Sequence, residues 1–230
     1  MAPHPESTPS RRERPAKPAL TRAGIVAAAV GLMSTEGLAK VTMRRLAQEL
    51  DTGPASLYVY VRNTAELHAA ILDELLGTVD LSPAGTTGDW RDRLVRVLTS
   101  YTAVLFEHRG LAPSALVARP SGEHYLALVE AVLALLDEGG VPADQAAWAV
   151  DLLLQFATAT AAEHAPHDRA PGAEKADMTT LATVLRTVPA ATHPRIAELG
   201  EDLLSGPGEA RLDWGFRVLL NGIPRTPRPA

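Results

Sequence analysis

From Thr21 onward, apolar residues recur at three- and four-residue intervals, and no stretch alternates in the period of two that marks a strand. Thr21 is placed to cap a first helix that runs to about Thr35, with Gly37 just beyond its end. Thr42 is placed to cap a second over 43–50, whose Met43, Leu46, Ala47 and Leu50 fall at i, i+3, i+4 and i+7. Asp51-Thr52-Gly53 interrupts the pattern, and Pro54 suits the first turn of a short third helix over 54–60. Asn63 and Glu66 have the spacing of a capping box, which opens a fourth helix to about Val79 with Leu67, Ala70, Ile71 and Leu75 inward.

Turn residues over 82–88 separate this front unit from a longer helical stretch. Helices are predicted over 90–106, with Leu94, Val97, Leu98, Tyr101 and Leu105 on one face, and over 121–138, stopped by Gly139-Gly140. The segment 143–164 is apolar almost all round (Trp148, Val150, Leu152, Leu153, Leu154, Phe156), so either a large core or a partner subunit must cover it. Weaker helices are expected over 177–188 and 194–204, and a last one over 209–221 before Gly222. The fold class is all-α.

Charge divides the chain in the same place. Residues 1–64 hold nine Lys/Arg against five Asp/Glu, and residues 65–230 hold thirteen against twenty-two, so a basic front precedes an acidic back within a total of −5. Nucleic acid is the obvious anion for such a front. Residues 1–19 carry five prolines and the cations Arg11, Arg12, Arg14 and Lys17, a composition expected of a disordered arm. The absence of cysteine excludes disulfides and thiolate chemistry. No apolar run is long enough to span a bilayer, and Arg11-Arg12 is not followed by a signal-peptide pattern, so a cytoplasmic protein is expected.

The chemistry concentrates at 42–60. Two short helices joined by three residues must cross steeply, which is the helix-turn-helix arrangement. Ala47 is small where they approach, and Asp51 tolerates the left-handed conformation the turn requires. Arg44, Arg45 and Arg62 flank the second helix and suit phosphate or guanine contacts. The segment LAQELDTGPASLYVYVRN closely resembles the helix-turn-helix of the tetracycline-repressor family. Asp89-Trp90, His108-Arg109, Arg119-Pro120, Tyr125, Gln155-Phe156 and the closing helix extend the resemblance over nearly the whole chain.

The resemblance implies an N-terminal three-helix DNA-binding domain over 20–66, a helical-bundle ligand-binding and dimerisation domain over 67–224, and a tail over 225–230. It implies a homodimeric repressor that binds a palindromic double-stranded operator and is released by a small molecule. The candidate DNA contacts are Thr42, Met43, Arg44, Pro54, Ala55, Ser56, Tyr58, Val59, Tyr60 and Arg62. Arg44 corresponds to a position that reaches guanine, and Tyr58 to one that meets phosphate. Pro54 and Thr64 depart from the family pattern, so the operator is expected to differ from the tetracycline operators.

In the back half, the positions of the family's tetracycline and magnesium ligands hold Val97, Ala115, Ala118 and Ala131, with only Glu163 retained. No metal or cofactor is therefore expected, and the effector should be less polar than tetracycline. The resemblance places it against Val97, Tyr101, Leu128, Asp151, Leu154 and Gln155, and places the dimer contact on the helices 143–164 and 209–221. Glu163, His164, His167 and Asp168 are close in sequence, but Pro166 keeps the histidines off a shared helical face. No nucleophile elbow, phosphate loop or zinc-protease motif is present, so an enzyme is not expected. An all-helical adaptor that binds protein rather than DNA is the alternative; it leaves 42–60 unexplained.

Overall fold

A computed structural model describes residues 19–108, 110–116, 121–163 and 173–229, and among them every regular element is helical. The elements are α1 (Arg22–Glu36), α2 (Met43–Glu49), α3 (Pro54–Leu57), α4 (Thr64–Leu76), α5 (Trp90–Glu107), α6 (Ala112–Ala115), α7 (Glu123–Glu138), α8 (Ala143–Glu163), α9 (Ala173–Thr187), α10 (Pro194–Leu204) and α11 (Gly208–Gly222). Short 3₁₀ turns lie at Leu38–Lys40, Ser82–Gly85 and Ile223–Arg225. None of the described helices is long and apolar enough to cross a membrane.

Local sequence sets most helix starts. Thr21, Thr42, Asn63 and Asp89 each accept a hydrogen bond from a backbone N–H of the first turn that would otherwise lack a partner. At α4 only half of the expected capping box forms. Asn63 accepts from Glu66 N–H at 2.8 Å, but the Glu66 carboxylate takes the N–H of Arg62 at 2.9 Å instead of that of Asn63. Glu66 thereby also engages the Arg62 guanidinium at 3.0 Å, and these Arg62 hydrogen bonds hold its carboxyl below the usual carboxylate range.

Helix α4 is one continuous helix that packs on α1 at the front and on α7 behind, so the expected boundary at residue 66 falls inside it. Helix α7 begins at Gly122, which has no side chain with which to cap it. Asp73 on α4 performs that role from outside, accepting the N–H of Tyr125 at 3.0 Å. A Cβ on Gly122 would lie 1.9 Å from the Asp73 carboxylate, so glycine is what lets the carboxylate reach the helix end. His124 packs in turn against Gly77 at the end of α4.

A second tie joins the linker to the bundle. Arg93, almost fully buried on α5, donates to the carbonyls of Pro83 and Ala84 at 2.9 and 2.7 Å. Its remaining nitrogen reaches both oxygens of Glu138 on α7 at 2.6 and 2.8 Å, so the buried charge is paired and hydrogen-bonded. Trp90, at the start of the same helix, lies under Gly139, where an added Cβ would stand 2.3 Å from the indole. Replacing Gly139 by Ala forces that indole to move, and we expect a loss of about 1–3 kcal/mol in denaturant unfolding.

Candidate DNA-reading surface and effector core

The reading unit is built by a turn that the backbone closes twice. Leu50 ends α2, Asp51 takes a left-handed conformation with φ 47°, and Thr52 N–H reaches back to the carbonyl of Ala47 at 2.9 Å. Asp51 N–H bonds Gln48 O at 3.1 Å, completing the paired bonds of a Schellman motif. With Gly53 at its N-cap, the next helix starts only two residues later, and Leu57 and Val61 turn fully inward to lock it against α2. The α-helix closes at Leu57, sooner than the pattern predicts, and Tyr58-Val59-Tyr60 continue as turns.

The outward face comprises Pro54, Ala55, Ser56, Tyr58 and Val59, and Val59 is 81% exposed. Thr42 is exposed but already caps α2 by accepting from Arg45 N–H at 3.2 Å. Arg44 is exposed and, among the described residues, has no ion-pair partner. Arg45 is engaged: its Nη2 lies 2.6 Å from Glu36 and 2.9 Å from Glu49. Arg62 is exposed, with Glu66 beside it.

Two of the expected DNA contacts are held by contacts within the unit. Met43 is 5% exposed and packs in the core, because the first residue of α2 points under the helix toward α1. Tyr60 is half-buried, and its hydroxyl donates to the Leu20 carbonyl at 2.8 Å, so the phenol anchors the start of α1.

The proposed effector residues separate in the same way. Val97, Tyr101, Leu128 and Leu154 lie in the core that α5, α7 and α8 form together. Tyr101 bonds Thr158 at 2.7 Å, and Thr158 gives its own proton to the Leu154 carbonyl at 2.7 Å, which makes Tyr101 the donor. Burial, more than the Thr158 bond can offset, raises the Tyr101 phenol above its ordinary value and keeps it neutral. Sequence reasoning does not find Thr158, since one hydroxyl within an apolar helix gives no sign of a partner 57 residues away.

Asp151 and Gln155 do not join that core. Both are exposed on the opposite face of α8, where with Trp148, Leu152 and Val218 they line a groove of about 890 Å³ between α8 and α11. An aspartate in an apolar run reads as buried only if the run faces inward on both sides, and here one side faces out. Trp148 and Trp214 are 56% and 69% exposed on this part of the molecule. Glu163 is exposed and Ala115 half-buried, whereas Ala118, His164, His167, Asp168 and the arm over residues 1–18 lie outside the described residues. Among the described residues, no group of three His, Asp or Glu side chains forms a metal-ligand set.

Residues 25–71 match the family described as "Bacterial regulatory proteins, tetR family", and residues 82–226 match "Tetracyclin repressor-like, C-terminal domain". A helix-turn-helix transcriptional regulator of Saccharopolyspora erythraea is 33% identical over 132 residues, which cover 57% of this chain and 55% of that protein. The crystal structure of a Streptomyces coelicolor protein described as a transcription regulator is 60% identical, covers 93% of this chain and 99% of that one, and superposes with a TM-score of 0.78. The Streptomyces coelicolor TetR-family protein ActR, in complex with actinorhodin, is 32% identical over 90% of this chain and 96% of that one, with a TM-score of 0.79.

The burial pattern separates two neighbouring positions. Met43→Ala should cost about 2–5 kcal/mol in urea unfolding by opening a core cavity, while Arg44→Ala should stay within about 0.5 kcal/mol. Equal losses at both would contradict the inward placement of Met43.

Proposed function

The chain belongs to the tetR family of bacterial regulatory proteins, DNA-binding regulators of transcription, and from that premise we propose that it is a cytoplasmic, homodimeric repressor released from a palindromic operator by a small molecule. The observation that carries this reading is the outward face of α3 and its following turn, locked by Leu57 and Val61 and flanked by an uncommitted Arg44. Arg44 hydrogen-bonds a guanine edge, Tyr58 meets backbone phosphate, and Val59 with Ala55 contacts thymine methyl groups in the major groove. Pro54 and Ser56 fit the groove floor without a charge of their own.

The groove between α8 and α11 is the dimer contact, with Trp148 in its lining as an aromatic anchor and Trp214 exposed on α11. Asp151 and Gln155 therefore belong to the subunit contact and leave the effector to Val97, Tyr101, Leu128 and Leu154. This set is mostly apolar with one phenol, which supports an effector less polar than tetracycline. ActR binds actinorhodin on a related fold, which supports a small-molecule effector here. Its binding favours a dimer whose reading units no longer match two major-groove sites about 34–36 Å apart.

Fluorescence-anisotropy titration against DNA from upstream of the chain's own coding sequence, with a scrambled duplex beside it, tests the reading. Selective, salt-sensitive binding is expected; no binding to either DNA by the folded protein would favour the adaptor. Arg44→Ala should cost about 1–3 kcal/mol on the selected site and relax preference at one base pair. An identical loss on random DNA would remove it from base reading. For the subunit contact, Trp148→Glu with Leu152→Glu should give folded monomers with lost operator affinity. A dimer that persists in sedimentation velocity would place the contact elsewhere.

A further inference from the structure

The groove between α8 and α11 carries one charge of each sign. On α8 its outward stripe is Trp148, Asp151, Leu152 and Gln155, spaced i, i+3, i+4 and i+7 along one helical face. Among the groove's lining residues, Asp151 is the single carboxylate and Arg228 the single cation. Both are exposed, and neither has an ion pair among the described residues. The arginines of α11 are engaged elsewhere. Arg217 holds Asp92 and Asp213 at 2.8 Å each, and Arg211 donates to the Leu203 carbonyl at 3.2 Å.

Arg228 is held in place from two sides. Thr226 folds back on the end of α11, its hydroxyl donating to the Gly222 carbonyl at 3.0 Å, and Pro227 and Pro229 restrict the backbone on either side of Arg228. The guanidinium lies over the Trp148 indole, 5.1 Å from the ring centroid. In that position it keeps N–H donors free, in the fork that matches a carboxylate. Trp148 stays more than half exposed beneath it, so segment 226–229 walls the groove without filling it.

Covering the groove takes Asp151 out of water, and a carboxylate without a counter-charge is costly there. A two-fold contact sets the same patch against itself, so each residue of one subunit must be answered by a residue of that patch on the other. Asp151 against Asp151 sets like charges together. Asp151 against Arg228 pairs opposite ones, and the symmetry makes that pair twice. We propose that Asp151 of each subunit pairs with Arg228 of the partner subunit, which makes segment 226–229 part of the subunit contact and fixes its register by charge. This rests on the α8–α11 dimer contact proposed above.

The test uses the full-length variants D151R and R228D, each alone and the two refolded together from urea in equal amounts, with sedimentation velocity over a dilution series and circular dichroism as the check of folding. A D151R homodimer sets cation on cation at both pairs, and an R228D homodimer sets carboxylate on carboxylate, whereas the mixed dimer restores an opposite pair at each. Each variant alone should raise the dimer dissociation constant about tenfold or more. The mixture should recover helicity and dimerise within about threefold of the unaltered protein, as should the single chain D151R/R228D. If that single chain dimerises and the mixture does not, the pair lies within one subunit and the proposal is overturned. It is overturned too if each variant alone dimerises as well as the unaltered protein, or if neither mixture nor double variant recovers. In those cases the α8–α11 contact itself still stands when the Trp148→Glu, Leu152→Glu protein is a folded monomer. A monomeric unaltered protein removes both the pair and the contact on which it rests.

Discussion

Helix α4 packs on α1 in front and on α7 behind within one continuous apolar core, and the rest of the structure is arranged around that fact. Its inward residues Leu67, Ile71 and Leu75 pack with α1, while Asp73, on another face, terminates α7 by accepting the N–H of Tyr125. A helix end that lacks its own cap must find an acceptor elsewhere, and here the acceptor is supplied by the helix that carries the reading unit. The first turn of α7 and the orientation of α4 are therefore not independent. Leu128, one turn further along α7, lines the same core as Tyr101 and Leu154. The tie between α7 and α4 includes that hydrogen bond and the His124–Gly77 contact.

The Arg93 cluster complements this tie. A buried guanidinium is tolerated because each of its three nitrogens is satisfied, two by linker carbonyls and one by Glu138. Its effect is to fasten the Ser82–Gly85 turn to both α5 and α7, so the connection between front and back units is not a loose hinge.

Much of the front unit is legible in the amino-acid sequence. Cap residues, the left-handed Asp51 and the i, i+3, i+4, i+7 stripe of α2 are local properties, and the backbone obeys them. The limits appear where periodicity alone assigns a face. Met43 opens α2 at a position that the resemblance gives to DNA, yet its side chain turns under the helix into the core. Asp151 and Gln155 sit within an apolar run, and a helix that is apolar all round has no marked inner side. Which of its faces meets α5 and α7, and which lies open beside α11, depends on the packing of helices remote in sequence.

The amino-acid sequence by itself determined the helical class, the capped starts of α1, α2, α4 and α5, the turn geometry at 50–53, the reversal of charge between front and back, and the family. Each of these is set by residues within a few positions of one another or by composition, where propensity, capping and patterning act directly. The tertiary structure alone decided that Tyr60 anchors Leu20, that Asp73 caps α7, that Arg93 binds the linker, and that Tyr101 meets Thr158. These contacts join residues 9 to 57 positions apart. A hydrogen-bonding side chain carries no mark of which distant partner will satisfy it. Only the packing of the helices brings the two together and excludes the water that would otherwise take the partner's place.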